Sequence, residues 1–165
     1  MRREFSSGGV VYKKLKIRNQ SPKILWLVTK SNPSRGYPSN VWRLPKGWLD
    51  DLGGGEMPGP LTSGRKKAKE IDLEKAALRE VREEAGVKAG IVAKIGTEKF
   101  YYRNRDKIVL KFVTFYLMEW LADLPQGFGF ETERTEWLTF EEAKQRLTYK
   151  KEREILEKAN NLIRG

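Results

Sequence analysis

Glu80, Glu83 and Glu84 stand at i, i+3 and i+4 within Arg79-Glu80-Val81-Arg82-Glu83-Glu84-Ala85-Gly86-Val87. On a helix this spacing puts all three carboxylates on one face, where each exposed like-charged pair costs roughly 0.2–0.5 kcal/mol. A solvated acidic face is the bland reading of such a pattern. A cation held between the carboxylates relieves the repulsion, and oxygen donors suit one or more Mg²⁺ or Mn²⁺ ions. Arg79, four residues before Glu83, can reach and orient it. The chain has no His and no Cys. That excludes disulfides, thiolate nucleophiles, Cys/His zinc sites, a His general base and a Ser-His-Asp triad. Any metal must be a hard ion held by oxygen.

The elements around this stretch are readable from pattern. Phe5–Lys16 and Ile24–Thr29 are β-rich and flank Asn19-Gln20-Ser21-Pro22, which predicts a hairpin. Asn32–Asn40 reads as a loop and Val41–Leu44 as a short extended piece stopped by Pro45. Residues 50–69 hold Gly53-Gly54-Gly55, Pro58-Gly59-Pro60 and four basic side chains, a composition that predicts a mobile, irregular loop. Asp72 is a suitable N-cap for a helix ending at Gly86, with an apolar stripe of Leu73, Ala77, Val81 and Ala85. Ile91–Tyr102 and Ile108–Leu121 predict a second hairpin, followed by a loop over 123–130. Then come a short strand at Thr135–Leu138, a capping box at Thr139–Glu142 and a final helix over 149–163. No repeat is visible. The order β-β-β-α-β-β-β-α-α predicts one α/β domain over 1–165, a mixed sheet flanked by helices.

Charge points to the partner. Of 165 residues, 33 are Lys or Arg and 22 are Asp or Glu, a net charge of +11. Residues 1–50 alone carry 11 basic and 2 acidic side chains. Anionic partners follow: phosphates, nucleic acid or acidic lipid. No apolar run is long enough to span a membrane and the N-terminus has no apolar signal core, so a cytoplasmic protein is expected.

The carboxylate stretch resembles the second half of the Nudix box, G-x5-E-x7-R-E-U-x-E-E-x-G-U, where U is a bulky apolar residue. All of R-E-U-x-E-E-x-G-U is present, and Leu44-Pro45-Lys46-Gly47 is similar to the segment that carries the first Gly. The box's first Glu is missing: its position is Ile71, and Glu70 is off by one. Gly47 and Arg79 lie 32 positions apart where the box has 14, so about 18 residues are inserted. The resemblance implies a Nudix-type α/β/α sandwich and a pyrophosphohydrolase acting on a nucleoside diphosphate linked to another moiety. It further implies Glu80, Glu83, Glu84 and the Gly47 carbonyl as Mg²⁺ (or Mn²⁺) ligands, Arg79 as an orienting residue, and Glu80 or a later Glu as proton acceptor.

Phe130–Trp137 is similar to the segment of diadenosine tetraphosphate hydrolases in which a Glu approaches the metals, here Glu131. Tyr149-Lys150 sits where those enzymes stack an adenine. Tyr101, Tyr102, Arg103, Arg105 and Lys107 interleave aromatics with cations, as a stacked base and a phosphate chain require. Arg43 and Lys46 can contact phosphate. Each of these residues also has a plain structural reading, in a loop, a helix start or a hairpin. A dinucleoside polyphosphate leads as substrate. RNA 5′-triphosphate ends, modified nucleoside triphosphates and diphosphoinositol polyphosphates remain open, as does a nucleotide- or RNA-binding module without turnover. Monomer and homodimer are both open.

Overall fold

The computed structural model describes residues 1–33 and 38–165. Residues 34–37 of the loop expected between Asn32 and Asn40 lie outside the described residues. In chain order the elements are β1 (Arg2–Leu15), β2 (Lys23–Ser31), β3 (Trp42–Arg43), β4 (Lys46–Trp48), β5 (Asp51–Leu52), β6 (Met57–Pro58), α1 (Pro60–Ser63), α2 (Glu70–Glu80), a π-helical turn (Val81–Ala85), β7 (Val87–Asn104), β8 (Lys107–Asp123), β9 (Thr132–Leu138), α3 (Phe140–Arg146) and α4 (Lys150–Arg164).

Strand periodicity explains the layering. Successive residues of a strand point to opposite faces, so β1 and β8, apolar on both faces, need cover on both sides. Val10, Tyr12, Val113, Phe115 and Leu117 face one way and meet Ile155, Leu156 and Ala159 of α4 with Ala143 of α3. Val11, Tyr116 and Met118 face the other way and meet Ala77 of α2 and Val81 and Ala85 of the π-helical turn, with Leu73 packed alongside. The sheet is therefore sandwiched between helices, as expected. Its order is β3-β2-β1-β8-β7, with β4 on β1 and β9 on β2. It is mixed because β1 is parallel to β8 but antiparallel to β2 and β4. Both hairpins expected from the sequence are present.

β2 and β4 share one edge of β1. Residues 12–15 pair with β2, and Ser6, Ser7 and Gly8 pair with Trp48, Gly47 and Lys46. Gly8 is required at this junction, since a Cβ there would lie 2.5 Å from the Pro45 carbonyl oxygen. The strand therefore delivers Lys46 and Gly47 to the mouth of the sheet, beside the C-terminal end of α2.

Two local expectations are corrected. The helix begins at Glu70, with Lys69 as its N-cap residue. Asp72 is its third residue, and its carboxylate accepts the Lys69 N–H at 2.8 Å. An acidic side chain can cap a helix from inside the first turn as well as from the cap position, which is why spacing alone misplaced the start. The second correction concerns residues 50–69, which contain the β5–β6 hairpin and α1. Asp50 organises the segment: its carboxylate accepts the Leu61 and Thr62 N–H groups at 2.9 and 2.8 Å. The Thr62 hydroxyl donates to the Asp50 carbonyl, and Thr62 is fully buried. A composition rich in Gly and Pro hid an Asp and a Thr that bind each other's backbone. Asp50→Ala should lower unfolding stability by about 1–3 kcal/mol, the usual loss when a buried acceptor disappears. Urea denaturation reads the loss, and amide exchange at Leu61 and Thr62 should quicken with it.

Candidate active site

The helix carrying the carboxylates changes pitch beneath them. After Glu80 the chain makes a π-helical turn, ended by Gly86 in the left-handed region at φ 69°. A Cβ at Gly86 would also lie 2.7 Å from the backbone at Gly127 and Phe128, so two constraints select glycine here. Carbonyls in the turn serve as acceptors for the 124–132 segment: Glu83 O takes the Gly129 N–H at 2.6 Å, and Glu84 O takes the Thr132 hydroxyl at 2.7 Å. Asn32 holds the same segment from the other side, donating its N–H to Glu131 O and its side-chain amide to Phe130 O. The π-helical turn thus ties the loop of Glu131 to the helix of Glu80, Glu83 and Glu84.

These four carboxylates line one cleft of about 640 Å³ together with Arg43, Lys46, Gly47, Trp48, Arg79, Lys111 and Phe130. Glu80 and Glu84 are buried, whereas Glu83 and Glu131 are exposed. Glu80 lies flat against Gly47: a Cβ on that residue would meet the carboxyl carbon at 2.3 Å. Burial pushes the Glu80 carboxyl up to about 7 against the pull of Arg79, with Glu83 and Glu131 adding to the rise. Burial pushes Glu84 up to about 8 against the pull of Arg43, with Glu80 and Glu131 adding.

Each cation near these carboxylates is specifically placed. Arg43 is buried, donating to Ser31 Oγ at 2.7 Å and to Glu84 Oε1 at 3.1 Å. It is a partner of Glu84 as well as part of the cleft wall. Lys46 donates to Glu152 Oε2 at 2.6 Å, and Glu152 also accepts the Leu44 N–H at 2.6 Å. Arg79 binds the carbonyls of Trp48 and Leu49 and approaches Glu80 Oε1 at 3.4 Å. The expected contact of Arg79 with Glu83 is therefore replaced by one with Glu80. Lys111, by contrast, makes no hydrogen bond or ion pair among the described residues. Burial, with Lys46 nearby, lowers its ammonium to about 8.

Among the other expected site residues, Tyr102, Arg103, Tyr149 and Lys150 do not line this cleft. Tyr102 donates its hydroxyl to Glu4 at 2.7 Å, Arg103 is exposed on the β7–β8 hairpin, and Lys150 opens α4 in solvent. Tyr149 stays close: Lys46 Nζ lies 5.7 Å from its ring centre. Glu70, one position from the missing carboxylate of the box, binds the Tyr116 hydroxyl and Lys94 at the far end of α2. The sequence reading missed Trp48, Lys111, Phe130 and Glu152. Glu152 had a signal, since it occupies the apolar stripe of α4 with Ile155, Leu156 and Ala159. Lys111 had another, standing in strand alternation with the buried Val109 and Val113.

The donor set suits a hard divalent cation. Two desolvated carboxylates and two exposed ones converge, burial works against ionising the inner pair, and every donor is oxygen. Among the described residues no three carboxylates stand close enough together to hold one ion as placed. Loading one requires side-chain movement, for which exposed Glu83 and Glu131 have room.

Fold and cleft together define the class: the chain belongs to the NUDIX domain family, whose model matches residues 15–159. A curated relative, the mutator protein MutT4 of Mycobacterium tuberculosis, is 29% identical over 123 residues, covering 74% of this chain and 42% of that protein. The chain thus spans about two fifths of that relative's length. Among solved structures, a C. elegans Ap4A hydrolase binary complex superposes with a TM-score of 0.65 at 23% identity, covering 98% of both chains. A MutT protein from Methanosarcina mazei gives 0.62 at 16% identity, covering 99% and 97%. The NUDIX domain of Shewanella oneidensis NrtR, complexed with ADP-ribose, gives 0.61 at 15%, covering 99% and 90%. These likenesses establish the fold. No helix among the described residues is long and apolar enough to cross a membrane.

The raised carboxyl pKa values fix a sign. Between about pH 4.5, the ordinary value, and about 8, the folded protein binds more protons at Glu80 and Glu84 than the unfolded chain does. Their contribution to stability is fully present below the ordinary value and is lost as pH rises through 7 and 8. Lys111 works in the opposite sense, but only above about pH 8. Without divalent cations the Tm should therefore fall from pH 5 to pH 8, and Glu80→Gln should flatten that fall. A Tm that rises across this window in chelator-treated protein contradicts the assignment.

Proposed function

We propose that this domain hydrolyses a phosphoanhydride bond in a nucleoside diphosphate derivative, with a divalent cation, Mg²⁺ or Mn²⁺, held by Glu80, Glu83, Glu84, Glu131 and Gly47. The observation that carries the reading is the pair of desolvated carboxylates, Glu80 against Gly47 and Glu84 against Arg43, in a cleft also lined by Lys111, which has no ion pair among the described residues. A binding module has no use for carboxylates kept out of water at this cost. When bound, the cation would neutralise pyrophosphate oxygens and lower the pKa of the attacking water.

The chain's own groups supply the rest. Lys111 offers a cation that no protein carboxylate neutralises by direct contact, suited to a phosphate oxygen. Lys46 adds a second cation, fixed by Glu152. Arg79 is a positioning residue: it holds the 48–49 backbone, and so Gly47, against the carboxylate helix. The proton of the attacking water needs a carboxylate to accept it, since the chain has no His; Glu80 and Glu131 are the candidates. Trp48 and Phe130, the latter 77% exposed, offer aromatic surface to a base.

Within this chemistry a dinucleoside polyphosphate such as diadenosine tetraphosphate is the substrate we favour. The likeness to the C. elegans Ap4A hydrolase supports it. So does aromatic surface at two places, Phe130 on the cleft wall and Tyr149 beside Lys46. A nucleoside triphosphate is the second reading, since a single ring lining the cleft, Phe130, is platform enough for one base.

A panel of diadenosine tetraphosphate, nucleoside triphosphates, ADP-ribose, RNA 5′-triphosphate and a diphosphoinositol, assayed with Mg²⁺ for phosphate species released, separates the readings. The dinucleotide should give the highest kcat/KM. Glu83→Gln and Glu84→Gln should each lower kcat at least ~100-fold, since an amide is a poor ligand for a hard cation. Turnover that survives chelation of divalent ions removes the proposed role of the carboxylates.

A further inference from the structure

The basic and aromatic residues of the β7–β8 hairpin are unused by the cleft, yet the sheet connects them to it. Lys107, Val109 and Lys111 alternate along β8 and therefore share one face. The register sets Arg2 and Tyr102 on either side of Val109, Glu4 and Phe100 on either side of Lys111, and Asn104 beside Lys107. Lys111 lines the cleft. Arg2, Asn104, Arg105, Asp106, Lys107 and Val109 line a separate cavity of about 390 Å³ at the hairpin tip. From Lys111 to Lys107 the strip runs about 13 Å at four strand residues.

One buried carboxylate joins its two ends. Glu4 is fully buried and pairs with Arg2, which lines the tip cavity. It also accepts the Trp48 indole N–H at 3.1 Å, and Trp48 lines the cleft. A third bond, from the Tyr102 hydroxyl at 2.7 Å, fixes that ring, which remains 38% exposed between the two cavities. With Arg2 paired to Glu4, the tip presents two further cations, Arg105 and Lys107, against one carboxylate, Asp106. A fixed aromatic ring lies on the path from there to the cleft.

We propose that this strip, from Lys111 to the β7–β8 tip, binds single-stranded RNA: Arg105 and Lys107 take backbone phosphates and Tyr102 stacks a base. The pattern is the one single strands require, a cationic track with an aromatic platform whose flat face accepts any base. A mononucleotide is too short to use both ends. Anionic lipid is the competing occupant, and the vesicle arm of the test below separates it from RNA. The inference goes beyond the hydrolase reading and does not depend on it.

The test is fluorescence anisotropy with a labelled 12-nucleotide single-stranded RNA of mixed sequence, titrated at several salt concentrations. The proteins are the unmodified chain, Arg105→Glu with Lys107→Glu, and the charge-conserving Arg105→Lys with Lys107→Arg. Charge reversal should weaken RNA binding at least ~10-fold. It should also reduce the slope of log affinity against log salt by about one to one and a half, since each single-strand phosphate contact contributes about 0.7. The charge-conserving variant should retain binding. Hydrolysis of diadenosine tetraphosphate, measured in parallel, should be the same in all three proteins. Equal RNA affinity in all three overturns the proposal. So does a charge-reversal effect seen on anionic phospholipid vesicles but not on RNA. Failure of hydrolysis in every protein, with the RNA result intact, counts against the enzymatic reading alone.

Discussion

Two carboxyl groups kept out of water at one end of a helix set the terms for everything around them. Glu80 can occupy its place only because residue 47 has no side chain, and residue 47 reaches that place only because β4 pairs with β1 at Ser7. Glu84 is tolerated because Arg43 meets it, and Arg43 is itself steadied by Ser31. Even so, burial outweighs the pull of both arginines, and each acid is driven toward its neutral form. A fold that wanted stability alone would place apolar residues here, since buried ionisable groups rarely repay their desolvation. The arrangement is better understood as a vacancy in charge than as a set of favourable contacts.

The end of that helix gives the arrangement its reach. The last carbonyls of a helix have no partner within it. Here Glu83 and Glu84 offer theirs to Gly129 and Thr132, so a loop from a distant part of the chain is bound to the backbone that carries the acids. The turn that carries them is π-helical, a form that commonly marks functional positions. Glu131 owes its place to hydrogen bonds made by its neighbours' backbone, and Asn32 completes the clamp.

Much of this was legible in the residues. The layered fold, both hairpins, the capping box at Thr139 and the convergence of Glu80, Glu83, Glu84, Glu131 and Gly47 follow from local pattern and from one motif resemblance. What escaped depends on partners far apart in sequence. Asp50 and Thr62 order a stretch that looks disordered by composition. Arg79 chooses the carbonyls of Trp48 and Leu49 over a carboxylate four residues away, because tertiary packing brings them closer. Tyr102 reads as a stacking platform for the site until the β7–β8 register sets it outside the cleft, with its hydroxyl on Glu4. Lys111 belongs to no motif; alternation with Val109 and Val113 gives its face, and only the register between β1, β8 and β7 shows what lies beside it.

Glu152 extends the same logic across the length of the sequence. It lies on α4, yet it binds the Leu44 N–H and fixes the Lys46 ammonium more than a hundred positions earlier in the chain. The wall of the cleft at Lys46 is therefore held from the opposite layer of the sandwich to the one that carries Glu80 and Glu84. The two helical layers never need to touch to be coupled, because each grips the short segment from Leu44 to Gly47 from its own side. A change that loosens α4 is felt at the cleft as a displaced cation and a slackened strand, with the carboxylate helix itself untouched.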